Sequence, residues 1–551
     1  MVVRALRAVL ATSIALSACG GDEARAPAEK PKPEVGCLAG EAAEGDGCRP
    51  PGVPPGSCAA GFEHDGDAGC EAVLPDAPCP PGAIAVPGDA ACREVAPCGR
   101  GDWGSAPVDG TSQFVDASYA GADSDGTEAK PWLTIQDAVD AADPGSVVVV
   151  AAGKYPEDVE IRGKSVRLWG RCPALVEIAG PGALTAAIVV REGASGSEVH
   201  DLAVRGDKNG IVVTAATEVV LDRVWVHDTG QRGLDVEDLL GPAAFVLSRS
   251  LVEATSDLGV FVSGSEATVR QTVIRDVVPI SGAFSGYGLA LVIGPGTGKR
   301  SIATVETSLI EHTFDTAVAA FSCDIVLDGT VVRDTAPFEQ KTGRALSVQN
   351  DVGERASATV RGSILERSHE IGVFAASSDL TIEYSVVRQT EPGLDGHFGR
   401  GLQVQDDPKT GERSKLVLRG CLLEKNHDAG LVVAGSDATL DGVRIRDSLA
   451  RPDGLYGDGA CFVFGRSPSE VTVMASRFEH SPRAGIANFG SHARFQGTAV
   501  ACNAFALDAE TFGGPPAFED VGGNACGCEP ELGDCQIVTS DLAPPDPVGP
   551  L

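Results

Sequence analysis

The hydrophobic positions of residues 250–497 recur at a fixed spacing that predicts a stack of short β-strands. The stretch "SILERSHEIGVFAASSDLTIEY", residues 363–384, is matched in length and pattern by "CLLEKNHDAGLVVAGSDATLDG", which begins at Cys421. Nine such segments follow one another from Ser250. Five of them have 22 residues, and the four between them have 36, 33, 36 and 33. A fixed period with insertions at fixed places is typical of a solenoid.

The first and third places of each segment are small or apolar, so they share the inward face of a strand. Segments of 22 residues with Gly-marked bends and no helical period predict the coils of a β-solenoid. The third place is held by Val252, Ile274, Ile310, Val332, Leu365, Val387, Leu423, Ile445 and Phe478.

The fourth place alternates between Glu and Arg along the whole repeat. Coils of a parallel stack lie about 4.8 Å apart, so each charge is expected beside its opposite. An exposed pair of this kind contributes roughly 0.2–1 kcal/mol, and the alternation also disfavours a register that would set Glu on Glu. We therefore interpret this column as a device that fixes register. Its members are Glu253, Arg275, Glu311, Arg333, Glu366, Arg388, Glu424, Arg446 and Glu479.

A distinctive lead-in, "FVDASYAGADSDGTEAKPWLTIQDAVDAADPGSVVVVAAGKYPEDVEI", occupies residues 114–161. Thr134 can cap a short helix whose apolar face, which includes Ile135 and Val139, would cover the open end of the stack. With the repeat, this lead-in resembles the start of right-handed parallel β-helix proteins of the pectin-lyase-like family. The resemblance covers roughly residues 114–505 and implies an all-β solenoid with an N-terminal capping helix. It does not fix an activity.

The first 18 residues, "MVVRALRAVLATSIALSA", join a short basic start to an apolar run too short to span a membrane, which is the pattern of an export signal. The "LSAC" that ends at Cys19 resembles the lipobox of bacterial lipoproteins, which implies cleavage before Cys19 and its acylation. A plain secretory signal is the alternative. We expect a flexible linker over residues 19–36 and a protein held to the cell envelope, at the outer membrane, by its lipid.

Sixteen Cys in an exported chain favour disulfides. Three similar units follow the linker, and each has too few apolar residues for a core, so a disulfide is expected to close each one as a small loop or hairpin. A metal site is disfavoured because no His or CxxC pair accompanies these Cys. The predicted pairs are Cys37–Cys48, Cys58–Cys70 and Cys79–Cys92, with Cys98–Cys172 as a further bridge.

The remaining Cys divide into two groups. Those near the end of the chain are expected to form two bridges of open connectivity, and those within the repeat are expected to be buried free thiols. The first group is Cys502, Cys526, Cys528 and Cys535, and the second is Cys323, Cys421 and Cys461.

Composition narrows the class of partner. The net charge is -33, which argues against nucleic acid, because phosphate binding needs a basic surface. Aromatic residues are only 5% of the chain, yet several lie in the insertions that precede a short apolar stretch of every second coil. Sugar rings stack on such side chains, although the same residues could pack the loops on one another. These candidate binding residues are Phe284, Tyr287, Phe338, Phe398 and Tyr456.

The insertions after the apolar stretch align Arg300, Arg355 and Arg413. A basic line on an acidic protein suits uronate or sulfate groups, or it is balanced by the neighbouring Glu354 and Glu412.

Enzymes of the family that the chain resembles usually act on acidic polysaccharides, by calcium-assisted elimination or by hydrolysis with grouped Asp. The motifs of polygalacturonases and pectate lyases are absent from the sequence. The best catalytic candidates are therefore the acids and His of one coil, in two loops separated by a strand of about five residues, or roughly 15 Å. They are Asp395 and His397 before the strand, in one loop with Arg400, and Asp406 and Asp407 after it, in one loop with Lys409.

No metal or other cofactor is expected, except calcium if the protein is a lyase, and the "DSDGT" at Asp123 is interpreted as a turn. The predicted organisation is a signal at 1–18, a linker at 19–36, a Cys-rich stalk at 37–98, the β-helix with its cap at 99–505, and a disulfide-containing cap and tail at 506–551. The sequence favours a surface lipoprotein that binds a polysaccharide or another surface component without catalysis. A polysaccharide lyase or hydrolase is the alternative.

Overall fold

A computed structural model of the chain describes residues 36–45, 47–280, 285–339 and 342–549. The predicted signal, Cys19 and all of the linker except Gly36 lie outside the described residues, as does Phe284. The chain from Cys37 onward forms one compact unit. No helix among the described residues is long and apolar enough to cross a membrane.

Short parallel strands stack coil upon coil in three sheets, which confirms the predicted all-β parallel β-helix. The first sheet has sixteen strands among the described residues. They are Gln113–Val115, Val147–Val150, Arg167–Gly170, Glu198–His200, Val219–Asp222, Ala244–Ser248, Glu266–Arg270, Ile302–Glu306, Asp324–Asp328, Ser357–Arg361, Asp379–Glu383, Lys415–Arg419, Asp437–Asp441, Glu470–Met474, His492–Gln496 and Ala517–Asp520.

The second sheet, called the ladder sheet below, carries the alternating charges. Its strands are Gly153–Tyr155, Val176–Gly180, Ala203–Gly206, Trp225–Thr229, Leu251–Thr255, Val273–Arg275, the first part of Leu309–Phe321, Val331–Ala336, Ile364–Glu366, Val386–Arg388, Leu422–Glu424, Arg444–Arg446, Arg477–Glu479, Ala499–Ala501 and Ala525–Cys528, with Glu531–Gly533 antiparallel at the end.

The third sheet, called the groove sheet below, contains the short apolar stretch of each coil. Its strands are Val159–Arg162, Ala186–Arg191, Asn209–Thr214, Leu234–Glu237, Leu258–Ser263, Tyr287–Val292, the second part of Leu309–Phe321, Gly343–Gln349, Ile371–Ala376, Arg400–Gln405, Ala429–Ala434, Asp458–Val463, Ala484–Phe489, Phe505–Glu510 and Ile537–Val538. Strands therefore continue to stack past the predicted boundary at residue 505.

The interior is filled by the columns that the repeat predicts. Every residue of the third place is at most 2% exposed. One helix, Ile135–Ala141, closes the first coils. The Thr134 hydroxyl caps it by accepting from the Asp137 N–H, and Ile135 and Val139 are buried. The predicted cap is thus confirmed.

The Glu and Arg column lies in the predicted register, but it is not exposed. Each Arg donates to the Glu of the preceding coil, as Arg275 does to Glu253, with Nε–Oε2 distances of 2.8–2.9 Å in four successive pairs. All five Glu of the column are buried. The estimate for exposed pairs therefore does not apply, because a second layer of chain covers this face.

That layer is the Cys-rich segment, residues 37–98. Its three predicted disulfides are present, and each closes a small antiparallel hairpin. The hairpin strands are Ala42–Glu44 with Gly47–Arg49, Phe62–His64 with Cys70–Ala72, and Ala83–Ile84 with Arg93–Glu94.

The segment does not stand off the helix as a stalk. It lies along the ladder sheet and runs against the order of the coils, from a hydrogen bond between Gly40 and Gly497 to the predicted bridge between Cys98 and Cys172. Its apolar side chains, Phe62 and Ile84 among them, form one buried cluster with ladder-sheet residues such as Ile364. The segment has too few apolar residues for a core of its own, and burial of these residues against the β-helix stabilises it instead.

The remaining Cys have definite states. Cys502 pairs with Cys528, and Cys526 pairs with Cys535, which settles the connectivity that the sequence left open. The other three, Cys323, Cys421 and Cys461, are buried free thiols, as predicted.

Candidate functional site

Two rows of loops flank the outward face of the groove sheet and make it the floor of a groove that crosses the coils. Residues 389–399 precede the strand Arg400–Gln405, and residues 406–414 follow it. The next long segment places 447–457 and 464–469 in the same way around Asp458–Val463. A cavity of about 460 Å³ lies between these walls. The insertions predicted as ridges are therefore the walls of one groove.

The middle of the floor is a column of outward-facing residues in continuous register, which becomes polar toward the centre of the repeat. Gln403 donates to Gln405 at 2.7 Å, and Gln349 donates to Ser347 at 2.7 Å. The column consists of Phe261, Ala290, Ala319, Ser347, Phe374, Gln403, Val432, Cys461, Ala487 and Asp508.

Buried arginines line one edge of this floor. Arg344 donates to Glu370 at 2.6 Å, and its guanidinium lies 4.1 Å from the centroid of the Phe374 ring. Arg400 is fully buried and donates to Asp428 at 2.5 Å and to Gln403 at 2.5 Å. Because the acids come from the following coil, these pairs tie neighbouring coils together at the groove.

The sequence signal for these pairs was present but easily missed. Glu370 and Asp428 hold the eighth place of their 22-residue segments, and both have a left-handed backbone, with φ of 64° and 59°. The arginines open the apolar stretches "GRALS" and "GRGLQ". Sequence reasoning included Arg400 in the loop of its best coil but did not notice Arg344.

The predicted aromatic residues do not form one exposed ridge. Tyr287 is buried on the floor beside Leu258 and Ala319, and burial raises its pKa. Phe338 lies edge-on to Phe314, with the ring centroids 6.3 Å apart.

The other two aromatics lie at the half of the groove formed by the later coils. Phe398 packs near Phe374 and under the Arg400 guanidinium, which is 4.8 Å from the ring centroid. The Tyr456 ring has two guanidinium neighbours, Arg451 at 4.3 Å and Arg483 at 4.7 Å. The rings of Phe398 and Tyr456 are therefore each faced by an arginine, and both residues remain partly exposed.

The predicted line of arginines is a structural network along one wall. Arg300 and Arg355 are each held in bidentate fashion by an Asp of the next coil, Asp324 and Asp379. Arg413 also pairs with an Asp of the next coil, but its Nε and one Nη donate to the same oxygen, Oδ1 of Asp437, at 3.1 and 2.6 Å. Arg300 also donates to a carbonyl oxygen of Arg355, so the wall is cross-linked along its length. The charges of these side chains are balanced, mainly by Asp residues that the sequence reasoning had not considered.

The predicted catalytic residues lie on opposite walls, and no hydrogen bond among the described residues joins the two groups. Asp395 accepts from the His397 backbone N–H at 2.9 Å, and Asp407 accepts from the Lys409 N–H at 2.6 Å, which are turn contacts. The His397 ring instead contacts the Asp546 carboxylate at 3.1 Å.

Asp406 supports the backbone of its loop. Its carboxylate accepts from the Arg466 N–H at 2.7 Å, and a Cβ on Gly465 would come within 2.7 Å of it. Burial raises the pKa of Asp406 against that hydrogen bond. Asp238 is placed in the same way under Gly264 and accepts from the Thr297 N–H, so this is a recurring structural role.

A pair of acids that sequence reasoning missed lies on the floor toward the first coils. Asp235 and Glu237 share the outward face of the strand Leu234–Glu237. Asp235 is 6% exposed; one carboxylate oxygen accepts from Arg232 at 2.9 Å, and the other has no hydrogen-bond partner among the described residues. Burial raises the pKa of Asp235 against the effect of Arg232, and burial together with the charge of Asp235 raises that of Glu237. The signal was "LDVED", with two acids two positions apart in a groove strand.

The other half of the groove is occupied by the chain itself. Residues 542–549, called the strap below, cross the floor over the strands Ile371–Ala376, Arg400–Gln405 and Ala429–Ala434. Arg400 donates to the Asp546 carbonyl at 2.8 Å, and Gln405 donates to the Val548 carbonyl at 3.0 Å. The cavity described above lies between the strap and the loop wall.

Comparison with known proteins does not assign the chain to a family. No family model matches the chain, and no curated protein matches it. Several solved structures align with it. The catalytic unit of a GH87 α-1,3-glucanase from Streptomyces thermodiastaticus covers 80% of this chain and 72% of its own, with 14% identity and a TM-score of 0.42. A mannuronan C-5 epimerase module from Azotobacter vinelandii covers 74% and 95%, with 12% identity and a TM-score of 0.31. Pectin methylesterase from Erwinia chrysanthemi covers 48% and 80%, with 13% identity and a TM-score of 0.27. At these values the alignments carry no functional argument.

Proposed function

We propose that the groove binds a linear polysaccharide laid across the coils. The observation that carries this proposal is that Arg400 and Gln405 hold an extended chain in the groove through oxygen atoms, the carbonyls of Asp546 and Val548. Hydroxyl, ring and carboxyl oxygens of a glycan offer the same acceptors at the same donors.

The polarity of the groove favours an acidic glycan. Arg451 and the His397 ring both contact the Asp546 carboxylate, at 2.7 and 3.1 Å, so the site already accommodates a carboxylate on the edge of the floor. A uronate carboxylate has the same charge and geometry. The rings of Phe398 and Tyr456 beside it offer surfaces on which a sugar can stack.

Affinity electrophoresis tests this function. The chain from Gly20 onward is run through gels that contain polygalacturonate, alginate or a neutral glucan. The same gels receive a chain that ends at Asp541, which lacks the strap. We expect retardation by an acidic polymer, and loss of retardation in the double variant Gln403→Leu with Gln405→Leu. Thr381→Val, on the outward face of the first sheet, is the matched control. If neither the full nor the shortened chain is retarded by any polymer, the proposed function is wrong.

Hydrolysis is a second candidate function, favoured by the pair Asp235 and Glu237. Two positions on one strand face are about 6.6 Å apart along the strand, within the range of about 5–9.5 Å spanned by the carboxyl pairs of glycoside hydrolases. The more deeply buried Asp235 would protonate the departing glycosidic oxygen, while Glu237 takes a proton from the attacking water. The bond breaks with addition of one water, and no other reactant is needed.

We also propose that the protein acts at the bacterial cell envelope, held by a lipid on Cys19. The export signal and the lipobox-like "LSAC" support this place of action. Mass spectrometry of the membrane-extracted protein tests it. An N-terminal peptide that begins with a diacylated or triacylated Cys19 is expected, whereas an unmodified N-terminus elsewhere would exclude the anchor.

A further inference from the structure

We propose that the strap, residues 542–549, is an intramolecular occupant that masks the later half of the groove and must be displaced before an acidic polymer binds there. The identity of the competing polymer rests on the function proposed above. The placement and reversibility of the strap do not, and they can be tested without any glycan.

Polar contacts fix the strap at its acidic residue. Arg451 donates to the Asp546 carboxylate at 2.7 Å, and the His397 ring contacts the same carboxylate oxygen at 3.1 Å. Burial works against ionisation of Asp546, but the hydrogen bonds from Arg451 and His397 hold its pKa below the ordinary value. The carboxylate is therefore ionised at neutral pH, and the strap presents a negative charge to the groove.

Apolar contacts hold the two ends of the strap. Val548 is 8% exposed and lies in one cluster with Ile371, Phe374 and Phe398. Leu542 packs on a neighbouring cluster of the floor that includes Phe489. The occupied length thus spans several coils, which is the dimension along which a linear polymer would lie.

The strap can leave without opening the helix. Three of its eight residues are Pro, which have no N–H for a strand ladder, and residues 542–549 include no strand. The hydrogen bonds that join residues 543–549 to the groove run from side chains of the floor and loops to the strap. The backbone ladder of the groove sheet does not depend on them. The Cys-rich segment differs, since the bridge between Cys98 and Cys172 ties it to the helix.

The chemistry of the strap resembles that of the proposed ligand. The strap is extended and forms no ladder of backbone hydrogen bonds with the floor. It places carbonyl oxygens and one carboxylate against Arg400, Gln405 and Arg451. A polyuronate offers ring and hydroxyl oxygens with a carboxylate on each residue. Both occupants need the same donors, so they exclude one another.

Peptide binding in trans tests the strap directly. The chain from Gly20 to Asp541 is titrated into a fluorescein-labelled peptide with the sequence of residues 540–551, and anisotropy is followed. We expect binding that is at least tenfold tighter than to the full chain, whose groove is filled. A peptide with Asp546→Ala should bind at least tenfold more weakly, and one with Ala543→Ser, an exposed position, should bind normally.

A second variant guards against misfolding of the shortened chain. The full-length chain with Asp546→Ala and Val548→Asp keeps every residue position but loses the side-chain contacts of Asp546 and Val548, and it should also take up the peptide. If neither variant binds the peptide while both retain the circular dichroism spectrum of the full chain, the strap proposal is overturned.

Competition then separates the two proposals. Polygalacturonate that displaces the peptide, and that retards the shortened chain more than the full chain, supports both. Peptide binding with no effect of any polymer supports the strap as an occupant and overturns the proposed function. Equal retardation of the full and shortened chains overturns masking.

Discussion

Arg388 and Glu71 form a bidentate ion pair, with distances of 2.5 and 2.6 Å, across 317 residues of sequence. Arg388 also donates to Glu366 of the preceding coil at 2.8 Å. One guanidinium therefore serves both the register of the solenoid and the attachment of the Cys-rich segment. The column of charges that looks like a surface feature in the sequence is an internal seam between two layers of chain.

Apolar contacts should hold the Cys-rich segment more strongly than its ion pairs do. Phe62→Ala should lower the free energy of unfolding by about 3 kcal/mol, because Phe62 is 8% exposed in the cluster shared with the helix. Glu71→Ala should cost about 0.2–1 kcal/mol, since that carboxylate is half exposed. Urea unfolding followed by tryptophan fluorescence measures both, with the exposed Glu63→Ala as control. Equal effects of Phe62→Ala and Glu63→Ala would contradict the docked arrangement.

Removing one member of the buried column should be costly. Arg275→Ala leaves the Glu253 carboxylate buried without its charge partner, and we expect a loss of about 3–5 kcal/mol in the free energy of unfolding. Arg205→Ala, at a half-exposed arginine on the same sheet, should change it by less than about 0.5 kcal/mol. Thermal or urea unfolding compares the two variants, and a small effect at Arg275 would show that the column is dispensable for stability.

The proposed hydrolysis should depend on both Asp235 and Glu237. Asp235→Asn or Glu237→Gln should reduce the release of new reducing ends from an acidic polysaccharide by about 10²–10⁴-fold, because each removes one proton transfer. The exposed Asp207→Asn should retain the rate of the parent chain. Colorimetric assay over a day measures the products. Hydrolysis that persists in both acid variants would remove these residues from the mechanism.

Asp508 should make stability depend on pH. Burial and the neighbouring charge of Glu510 raise its pKa from 3.8 to about 6. The folded state therefore holds a proton that the unfolded state has released between these values, so the free energy of unfolding falls as pH rises through this window. Asp508→Asn removes this contribution, and its unfolding midpoint relative to the parent chain should be higher at pH 8 than at pH 5. The exposed Asp534→Asn should show no such difference. The same difference in both variants would show that Asp508 is not the source of the pH dependence.

The free thiols should be silent in the native protein. Burial raises the pKa of Cys421 to about 12 and that of Cys323 to about 11, so neither provides thiolate at neutral pH. For the chain from Gly20 onward, a thiol reagent should detect none of the three free thiols before denaturation and all of them in guanidinium. Rapid native labelling would indicate that the coils open locally.

Local periodicity explains which parts of this fold could be predicted. The column that contains Leu365 and the alternation of Glu366 with Arg388 follow from a strand period of two and a coil period of 22, so register could be derived from the sequence. Cys spacing predicted the three hairpin disulfides in the same way. These features recur from coil to coil or from unit to unit, so a pattern too weak to interpret once can be recognised from its repetition.

Contacts that do not repeat could not be derived. The sequence allowed for balance of Arg355 by Glu412, which the structure shows, but not for its second partner, Asp379, which lies on the next coil at a spacing the repeat does not emphasise. The strap has no periodicity, and neither its length nor its composition indicates that Asp546 reaches Arg451. Asp235 and Glu237 were overlooked because they precede the regular repeat. Sites built from unique contacts need the tertiary structure.

The hydrogen bond between Gly40 and Gly497 also has a consequence for the order in which parts of the chain fold. Residues near the start of the chain leave the ribosome first, yet Gly40 binds to a coil that is synthesised near the end of the chain. Coils can stack on their neighbours as they appear, since each needs only local contacts. The first hairpin, closed by Cys37–Cys48, must wait for that coil, whereas residues near Gly82 bind Glu253 on a much earlier one. Docking of the first hairpin is therefore a late, long-range step of folding.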